Sequence, residues 1–176
     1  VCSNALNRAV REFGLTEPAK ILDKTLELVI ERVEKSEEDV KDGMDIALCA
    51  LNSKTNELQY AGANNPLWII KGADNALLVT KATKQPIGKY ADPKPYVNHV
   101  MQLEKGDSLY VFSDGFPDQF GGEKGKKLKT KAFKELLLSV QDKSMAEQHK
   151  TIDQYFENWR GDQEQIDDVC VIGVKL

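Results

Sequence analysis

The chain is 176 residues long, with 41% hydrophobic and 30% charged residues, which is the size and composition of one ordinary globular domain. Its formal net charge of −4 gives it no overall basic character, which argues against binding to nucleic acid. The longest apolar runs are far shorter than a membrane span, so no membrane segment is predicted.

The three cysteines, Cys2, Cys49 and Cys170, are widely spaced and include no Cys-x-x-Cys pair of the metal-binding type. Cys49 and Cys170 lie within apolar strand patterns, so buried, reduced thiols are predicted at both positions. No secretory signal is visible, because the sequence starts directly in an amphipathic pattern. Together these features predict a cytoplasmic protein.

The amino-terminal part of the chain is predicted to be helical. Residues 2–13 form one amphipathic pattern that ends near Gly14. A second and stronger pattern runs from Glu17 to about Ser36, with apolar residues at helical spacing and charged residues elsewhere. The acidic stretch that follows, up to Asp42, breaks this period.

From Gly43 onwards the pattern changes to that of β-strands. Residues 44–51 are apolar on both faces apart from Asp45, which predicts a central strand covered on both sides. Further strands, joined by hairpin-length turns as an antiparallel meander, are predicted at residues 57–61, 67–70, 76–80, 96–103 and 108–113. Two amphipathic helices follow, the second with His149 on its apolar stripe, and a final strand covers residues 168–176.

The order of these elements predicts an α+β fold, in which sheets carry helices packed on their outer faces. No low-complexity segment, linker or internal repeat divides the sequence. Residues 1–176 are therefore predicted to form a single domain, which is long enough for a substantial core.

The segment Val111-Phe112-Ser113-Asp114-Gly115-Phe116-Pro117-Asp118 contains the most informative acidic residues of the chain. An apolar strand places Asp114 at its carboxyl end, a glycine permits an immediate turn, and Asp118 follows four residues later. Near the carboxyl terminus, Asp167 and Asp168 precede another apolar strand. Carboxylates at strand ends, with no basic neighbour in the sequence, are typical of a site for hard divalent cations.

Asp42 and Asp45 flank Gly43 at the start of a predicted strand, so they are further acidic groups at a strand end. If adjacent strands bring such ends together, the carboxylates repel one another unless a cation lies between them. The alternative interpretation is that all of these acids occupy ordinary turns. The residues by themselves leave the two interpretations about equally open.

Other candidate residues carry weaker signals. His149 is predicted to be a packed core residue because it lies on an apolar helix stripe, and His99 has no His or Cys partner nearby in the sequence. The segment from Gly121 to Lys127 lacks the spacing of a phosphate-binding P-loop. It is predicted to be a solvated basic loop that helps to attract an anionic substrate.

Several motifs taken together resemble the metal-dependent serine/threonine phosphatase superfamily (PPM), in the branch of stage II sporulation protein E and the stress-response sigma-factor phosphatases. The matching segments cover most of the chain in the order and spacing of that family: Asp42–Leu48, Leu58–Pro66, Gln85–Gly88, Gly106–Gly115 and Asp167–Val169. The resemblance implies two antiparallel β-sheets sandwiched between helices (α-β-β-α), with a binuclear Mg²⁺ or Mn²⁺ centre at one edge.

By residue-for-residue carry-over, the resemblance implies that Asp114 and Asp167 are primary metal ligands. Asp118 matches an accessory ligand for a third, weaker ion, with Asp42 or Asp45 as its companion. The implied reaction is hydrolysis of phosphoserine or phosphothreonine by a metal-activated water, without a covalent enzyme intermediate. The implied partners are a phosphorylated bacterial signalling protein of the partner-switching antagonist type, which is the substrate, and an upstream sensor domain.

The sequence departs from the family at its amino terminus, where these enzymes carry a bridging aspartate in an Asp-x-x-Gly-His-Gly-like motif. No such motif occurs in this sequence. The expectation is therefore a domain truncated at its amino terminus, which lacks its first strands, binds Mn²⁺ or Mg²⁺ weakly or not at all, and is impaired in catalysis. Sheet edges left open by the missing strands are expected to pair between chains, as in a homodimer.

Two other functions remain open from the sequence. The first is a non-catalytic pseudophosphatase that binds a phosphoprotein or scaffolds a partner, and the second is an unrelated α/β domain with acidic turns. The presence of both Asp114 and Asp167 favours the phosphatase, because a domain without metal chemistry has no evident need for both carboxylates.

Overall fold

The computed structural model describes residues 1–34 and 43–176, which divide into two compact units. The first unit comprises Val1–Leu67 and Thr80–Leu103, and the second comprises Trp68–Val79 and Glu104–Leu176. Helices and strands follow one another in the order α1 (Cys2–Arg11), α2 (Pro18–Glu34), β1 (Ile46–Leu51), β2 (Glu57–Ala63), β3 (Leu67–Ile70), β4 (Leu77–Thr80), β5 (His99–Gln102), β6 (Ser108–Phe112), α3 (Gly115–Asp118), β7 (Phe120–Gly121), β8 (Lys126–Lys127), α4 (Lys129–Ser139), α5 (Met145–Arg160) and β9 (Val171–Lys175).

The first unit contains α1, α2 and a three-stranded antiparallel sheet. Both predicted helices are present: α1 ends shortly before Gly14, whose φ of +63° suits glycine best, and α2 begins at Pro18, a favourable residue for a first helical turn. The apolar face of α2 packs with the sheet in one core, whose buried members include Leu22, Leu26, Val29, Ala61 and Ile87.

The sheet of the first unit has the strand order β1-β2-β5. The prediction of a central strand at residues 44–51 is wrong, because β1 lies at an edge of the sheet formed by the described residues and is only partly buried. The central strand is β2, which is buried over most of its length. An apolar pattern on both faces therefore does not distinguish a central strand from a partly covered edge strand.

The prediction of one continuous antiparallel meander is also wrong, because consecutive strands are divided between two sheets. β2 is followed by β3 in the second sheet, and β4 is followed by β5 in the first. The pairs β1–β2 and β3–β4 do form, as their short turns predicted. Turn length alone does not show at which connection the chain changes sheet.

The second unit is built on a four-stranded sheet with the order β4-β3-β6-β9, in which β6 and β9 are antiparallel. The two predicted helices, α4 and α5, and the final strand are all present. The core of this unit is rich in aromatic rings, with a centroid distance of 4.4 Å between Phe116 and Phe133 and 5.0 Å between Phe112 and Phe133. These features confirm the predicted α+β class with antiparallel sheets and packed helices.

Two side chains that were predicted to be buried are exposed. His149 is exposed on α5, where Gln148 takes the buried position because its Oε1 accepts a hydrogen bond from Tyr110 Oη at 2.6 Å. Cys170, just before β9, is also exposed. Cys49 is partly buried, and burial raises the pKa of its thiol to about 11. The prediction of buried thiols is therefore wrong for Cys170.

No helix among the described residues is long and apolar enough to cross a membrane.

Candidate metal centre

The pairing of β6 with β9 brings two of the predicted acidic segments to one end of the second unit's sheet. The antiparallel ladder continues one step beyond β6, because the amide of Ser113 donates a hydrogen bond to the Cys170 carbonyl oxygen at 3.0 Å. Asp114 follows this step on one chain segment, and Asp167 and Asp168 precede it on the other. Asp114, Asp167 and Asp168 therefore lie where β6 ends and β9 begins, and we call this end of the sheet the acidic edge.

The side chain of Ser113 connects these two segments through the main chain. Its hydroxyl donates a hydrogen bond to the Asp168 carbonyl oxygen at 2.7 Å and accepts one from the Cys170 amide at 2.9 Å. Gly115 permits the close approach, because a Cβ atom at this position would collide with the Asp168 carbonyl group. Both neighbours of Asp114 in the sequence motif therefore have a structural role: Ser113 bonds the segment before β9, and Gly115 leaves room for it.

The aspartates at this edge are exposed. Asp114 occupies the N-cap position of α3, but its carboxylate forms no capping hydrogen bond among the described residues. Asp167 Oδ1 accepts a hydrogen bond from the Asp168 amide at 2.7 Å, and its carbonyl oxygen accepts one from Gln165 Nε2 at 2.9 Å. The loop backbone before β9 is therefore held in part by the side chain of Asp167 itself.

The predicted accessory ligands occupy three different settings. Asp118 lies one helical turn after Asp114, and its carboxylate is paired with Lys127 Nζ on β8 at 2.8 Å. Asp45 belongs to the first unit, where its Oδ1 accepts a hydrogen bond from Asn64 Nδ2 at 2.8 Å. Asp42 lies outside the described residues.

The donor atoms at the edge agree in kind with a hard divalent cation, since they are carboxylate oxygens carried by two adjacent strand ends. They do not form a complete cluster in the described parts of the chain, where no three His, Cys, Asp or Glu side chains are arranged to hold a metal ion. Asp114 and Asp167 thus carry oxygen donors of the kind that Mg²⁺ or Mn²⁺ prefers, with Asp118 one helical turn after Asp114, and their role as metal ligands stays a prediction.

Asp107 anchors the other end of β6, a role that the sequence analysis missed. Its carboxylate is only 1% exposed and accepts hydrogen bonds from Lys71 Nζ at 2.6 Å and from the amides of Gly72 and Glu104, both at 2.9 Å. Burial raises the pKa of Asp107, but the three hydrogen bonds outweigh it and the net pKa is lowered. The strand that ends at Asp114 is thus fixed at its beginning by a buried ionic network.

The segment predicted to be a solvated basic loop is the short hairpin β7–β8, and its lysines are exposed. The hairpin is attached to α5, because Trp159 Nε1 donates a hydrogen bond to the Gln119 carbonyl oxygen at 3.0 Å. It also carries Lys127 to Asp118. The ammonium group of Lys127 therefore contacts Asp118, which lies one helical turn after Asp114.

A cavity of about 540 Å³ lies in the second unit between α5 and β9. Its lining is mainly apolar, and it also includes His149, Asp153 and Cys170. Asp114 and Asp167 are not among its lining residues. We therefore assign it no part in the chemistry of the acidic edge.

Comparison with solved structures identifies the class of the fold as that of the PP2C-type (PPM) phosphatase domain. The SiaA-PP2C domain of Pseudomonas aeruginosa superposes with a TM-score of 0.84 at 24% identity, over 99% of this chain and 66% of that one. The PP2C domain of SpoIIE from Bacillus subtilis, solved with a fragment of its regulatory domain, gives 0.72 at 14% identity, over 99% and 48%. RsbX in complex with magnesium gives 0.66 at 14% identity, over 98% and 71%.

The family model of stage II sporulation protein E (SpoIIE) matches residues 1–176, so the chain belongs to the SpoIIE family. The resemblance predicted from the sequence motifs is thereby confirmed. A comparison with curated proteins gives no match. The chain spans just under two thirds of the SiaA domain and about half of the SpoIIE structure.

Proposed function

We propose that this protein hydrolyses phosphoserine or phosphothreonine on a protein substrate in a reaction that depends on Mg²⁺ or Mn²⁺. Membership of the SpoIIE family supports the reaction class. The observation that carries the proposal is the juxtaposition of Asp114 with Asp167 and Asp168 at one sheet edge, joined through the Ser113 hydroxyl. These exposed carboxylates support the proposal, because carboxylate oxygens are ligands that hard divalent cations prefer.

In this proposal, Asp114 and Asp167 hold the ions, and Asp118 provides an accessory position. When bound, such ions supply the positive charge that activates water and neutralises the phosphoryl oxygens. The chain's own residues fix the geometry: the β6–β9 pairing sets the spacing of the two strand ends, and Gly115 keeps them close. Lys127 holds the carboxylate of Asp118 by a salt bridge of 2.8 Å.

We propose that the substrate is a phosphorylated bacterial signalling protein of the partner-switching antagonist type, encountered in the cytoplasm. The exposed lysines of the β7–β8 hairpin support an anionic substrate, because positive charge beside a site raises the local concentration of anions. A sensor domain in the complete protein and a homodimer belong to the same proposal. Exposed apolar side chains on β9, Ile172 and Val174, support pairing between copies of the chain.

The replacement Asp114→Asn tests the proposal. The assay is release of inorganic phosphate from a phosphoserine peptide in the presence of Mn²⁺, with EDTA as the metal-free control. We expect Asp114→Asn to lower the rate by at least the roughly 10- to 100-fold seen when a group that orients a metal ligand is lost, because it replaces a charged carboxylate oxygen by a neutral amide oxygen. The matched control Asp142→Asn changes an exposed aspartate in the turn before α5 and should keep full activity. Full activity of Asp114→Asn would refute the mechanism.

A non-catalytic role in binding phosphoproteins is the second candidate function. One observation favours it, namely that the described residues contain no cluster of three metal-binding side chains. One experiment distinguishes the two functions: a fluorescent phosphoserine peptide is titrated with the wild-type protein in saturating Mn²⁺, and both peptide binding and phosphate release are measured. A pseudophosphatase binds the peptide without releasing phosphate, whereas a phosphatase consumes it.

A further inference from the structure

Six lysines are concentrated in one short stretch of the second unit, residues 120–134. The stretch contains one glutamate, so its local net charge is +5 in a chain whose formal net charge is −4. We call it the basic patch, and its lysines are Lys124, Lys126, Lys127, Lys129, Lys131 and Lys134. The first five of them are exposed. Because the rest of the chain is net acidic, the basic patch is a local feature of the surface.

The β7–β8 hairpin of the basic patch is fixed to α5 at its base. The Gly122 amide donates a hydrogen bond to the Trp159 carbonyl oxygen at 2.8 Å, and a Cβ atom at Gly121 would collide with the same carbonyl group. Leu128, which follows the hairpin, is buried, and its amide donates a hydrogen bond to the Gln119 carbonyl oxygen at 3.0 Å. The exposed lysines therefore stand on a preorganised scaffold, which lowers the ordering cost of binding a partner.

Most of the positive charge of the basic patch is not neutralised inside the protein. Lys127 is paired with Asp118 at 2.8 Å. Lys131 lies 3.9 Å from Glu135, and both side chains are largely exposed, so this pair is weak. Among the described residues, no carboxylate pairs with the three other exposed lysines of the basic patch. Their charges are therefore available to a negatively charged partner.

We infer that the basic patch is a docking surface for an acidic segment of the protein substrate, whose carboxylates contact Lys124, Lys126 and Lys129. The inference deepens the proposed function and rests on it in one respect, namely that the docked protein is the substrate. The salt bridge between Lys127 and Asp118 supports this, because it joins the hairpin to α3, whose N-cap residue belongs to the acidic edge. Acidic residues near the phosphorylated residue of a substrate are the groups that such a surface attracts.

The distribution of charge favours a peptide segment over an anionic membrane. Outside the basic patch the chain is net acidic, so a broad anionic surface facing the domain would also meet repelling charge. A short acidic segment needs to cover the basic patch alone. Phe120 at the start of the patch is 37% exposed, and Lys127 Nζ lies 5.8 Å from the centroid of its ring, so apolar contact is offered beside the charge.

The test compares two fluorescent phosphoserine peptides that differ only in their flanks, which are aspartates in one and asparagines in the other. Binding to the 176-residue chain is measured by fluorescence anisotropy in EDTA, so the result does not depend on a metal ion. We expect the acidic peptide to bind more tightly, and its affinity to fall as NaCl is raised from about 50 to 500 mM, because salt screens exposed charges. Equal affinity for the two peptides, or no binding of either, would overturn the inference.

The triple variant Lys124→Gln, Lys126→Gln, Lys129→Gln removes the three unpaired charges. One exposed charge pair changes an affinity by roughly 1.5- to 5-fold, so the triple variant should bind the acidic peptide on the order of tenfold more weakly. Its affinity for the asparagine peptide should stay the same.

A matched control removes the same net charge at exposed positions outside the basic patch, by Lys54→Gln, Lys105→Gln and Lys150→Gln. Because salt screens charges that are far from the docked peptide, this control should keep the affinity within about twofold of wild type. An equal loss in both triple variants would show an effect of net charge alone and would overturn the inference.

Lys129 allows docking to be separated from folding. Its φ of +71° lies in the left-handed region, which asparagine tolerates better than lysine. Lys129→Asn should therefore weaken binding of the acidic peptide by roughly 1.5- to 5-fold while the melting midpoint stays the same or rises. A loss of affinity that comes only with a lower melting midpoint would refute the docking role of this residue.

Failure of the proposed function gives a different result. If the acidic peptide binds through the basic patch but Mn²⁺ causes no release of phosphate, the docking surface stands and the phosphatase activity is refuted. If phosphate is released from both peptides with the same KM, the proposed function stands and the inference fails. Binding to phosphatidylglycerol vesicles without any preference for the acidic peptide would assign the basic patch to a membrane and would also overturn the inference.

Discussion

The replacement Asp107→Asn tests the network that anchors the strand leading to the candidate site. In the native protein, Oδ1 of Asp107 accepts a hydrogen bond from the Gly72 amide, and Oδ2 accepts hydrogen bonds from Lys71 Nζ and the Glu104 amide. Asparagine offers one acceptor oxygen and places an amide donor at the other position. At least one of the three donors therefore loses its acceptor, and Lys71 loses its counter-charge.

The burial of Asp107 determines the size of the effect. Its side chain is 1% exposed, so solvent does not compensate for the lost bonds, whereas the Lys71 side chain is 23% exposed and keeps part of its hydration. Breaking a buried ion pair by removing one partner costs about 3–5 kcal/mol. Because Lys71 is partly hydrated, we expect the lower end of that range, about 3 kcal/mol of unfolding free energy. For a chain of this length the melting temperature should fall by roughly 6–12 °C.

Urea unfolding followed by tryptophan fluorescence is a suitable assay. The two tryptophans of the chain, Trp68 and Trp159, lie in the same unit as Asp107, so the signal reports on the unit that is perturbed. We expect a lower midpoint with an unchanged slope. The matched control Asp74→Asn, in an exposed turn of the same unit, should shift the unfolding free energy by no more than about 0.5 kcal/mol.

Acidification provides a second readout for Asp107. Its pKa is lowered in the folded protein, so its contribution is fully present above the unfolded pKa, about 3.9, and disappears as the pH falls through the folded value. The stability difference between wild type and Asp107→Asn should therefore shrink below about pH 4. A difference under about 1 kcal/mol at neutral pH, or one that stays constant to about pH 2, would refute the reasoning.

Two further outcomes follow from buried polar groups. Tyr110→Phe removes a hydroxyl that donates a hydrogen bond to Gln148 Oε1 at 2.6 Å and accepts one from Gln141 Nε2 at 2.8 Å. Because both side-chain amides are buried, the unfolding free energy should fall by about 1–3 kcal/mol in the fluorescence assay, and a change under about 0.5 kcal/mol would contradict this. Burial raises the pKa of the Cys49 thiol to about 11, whereas Cys170 is exposed. Iodoacetamide near pH 8 should therefore label Cys170 at least about tenfold faster than Cys49, as measured by peptide mass spectrometry, and equal labelling rates would contradict this.

The sequence predicted most elements correctly because their apolar periods are long and regular, as in α2 and α5. It failed where periodicity does not determine which neighbour covers a residue. β1 has the composition of a central strand but lies at an edge of the described sheet, and the switches between sheets leave no mark on turn length. His149 is exposed because Gln148, a polar residue, takes the buried position through its bond with Tyr110. Hydropathy alone does not reveal such a buried polar pair.

For the candidate site, the sequence motifs identified the acidic segments, and the β6–β9 pairing brings Asp114, Asp167 and Asp168 to one edge. Their roles as metal ligands stay predictions. What the sequence did not reveal is the support around them, because the contacts of Ser113 and Asp107 join segments that are 55 and 36 residues apart. Such contacts depend on strand register, which a single sequence specifies only indirectly.

The link between Ser113 and residue 168 uses a side chain on one strand and a carbonyl group on the other. Every amino acid presents that carbonyl, so the contact places selective pressure on position 113 and none on the side chain at position 168. A substitution at position 168 therefore leaves this hydrogen bond possible, whereas one at position 113 keeps it only if the new side chain bears a donor such as a hydroxyl. The two ends of one hydrogen bond thus differ in how strictly they depend on residue type.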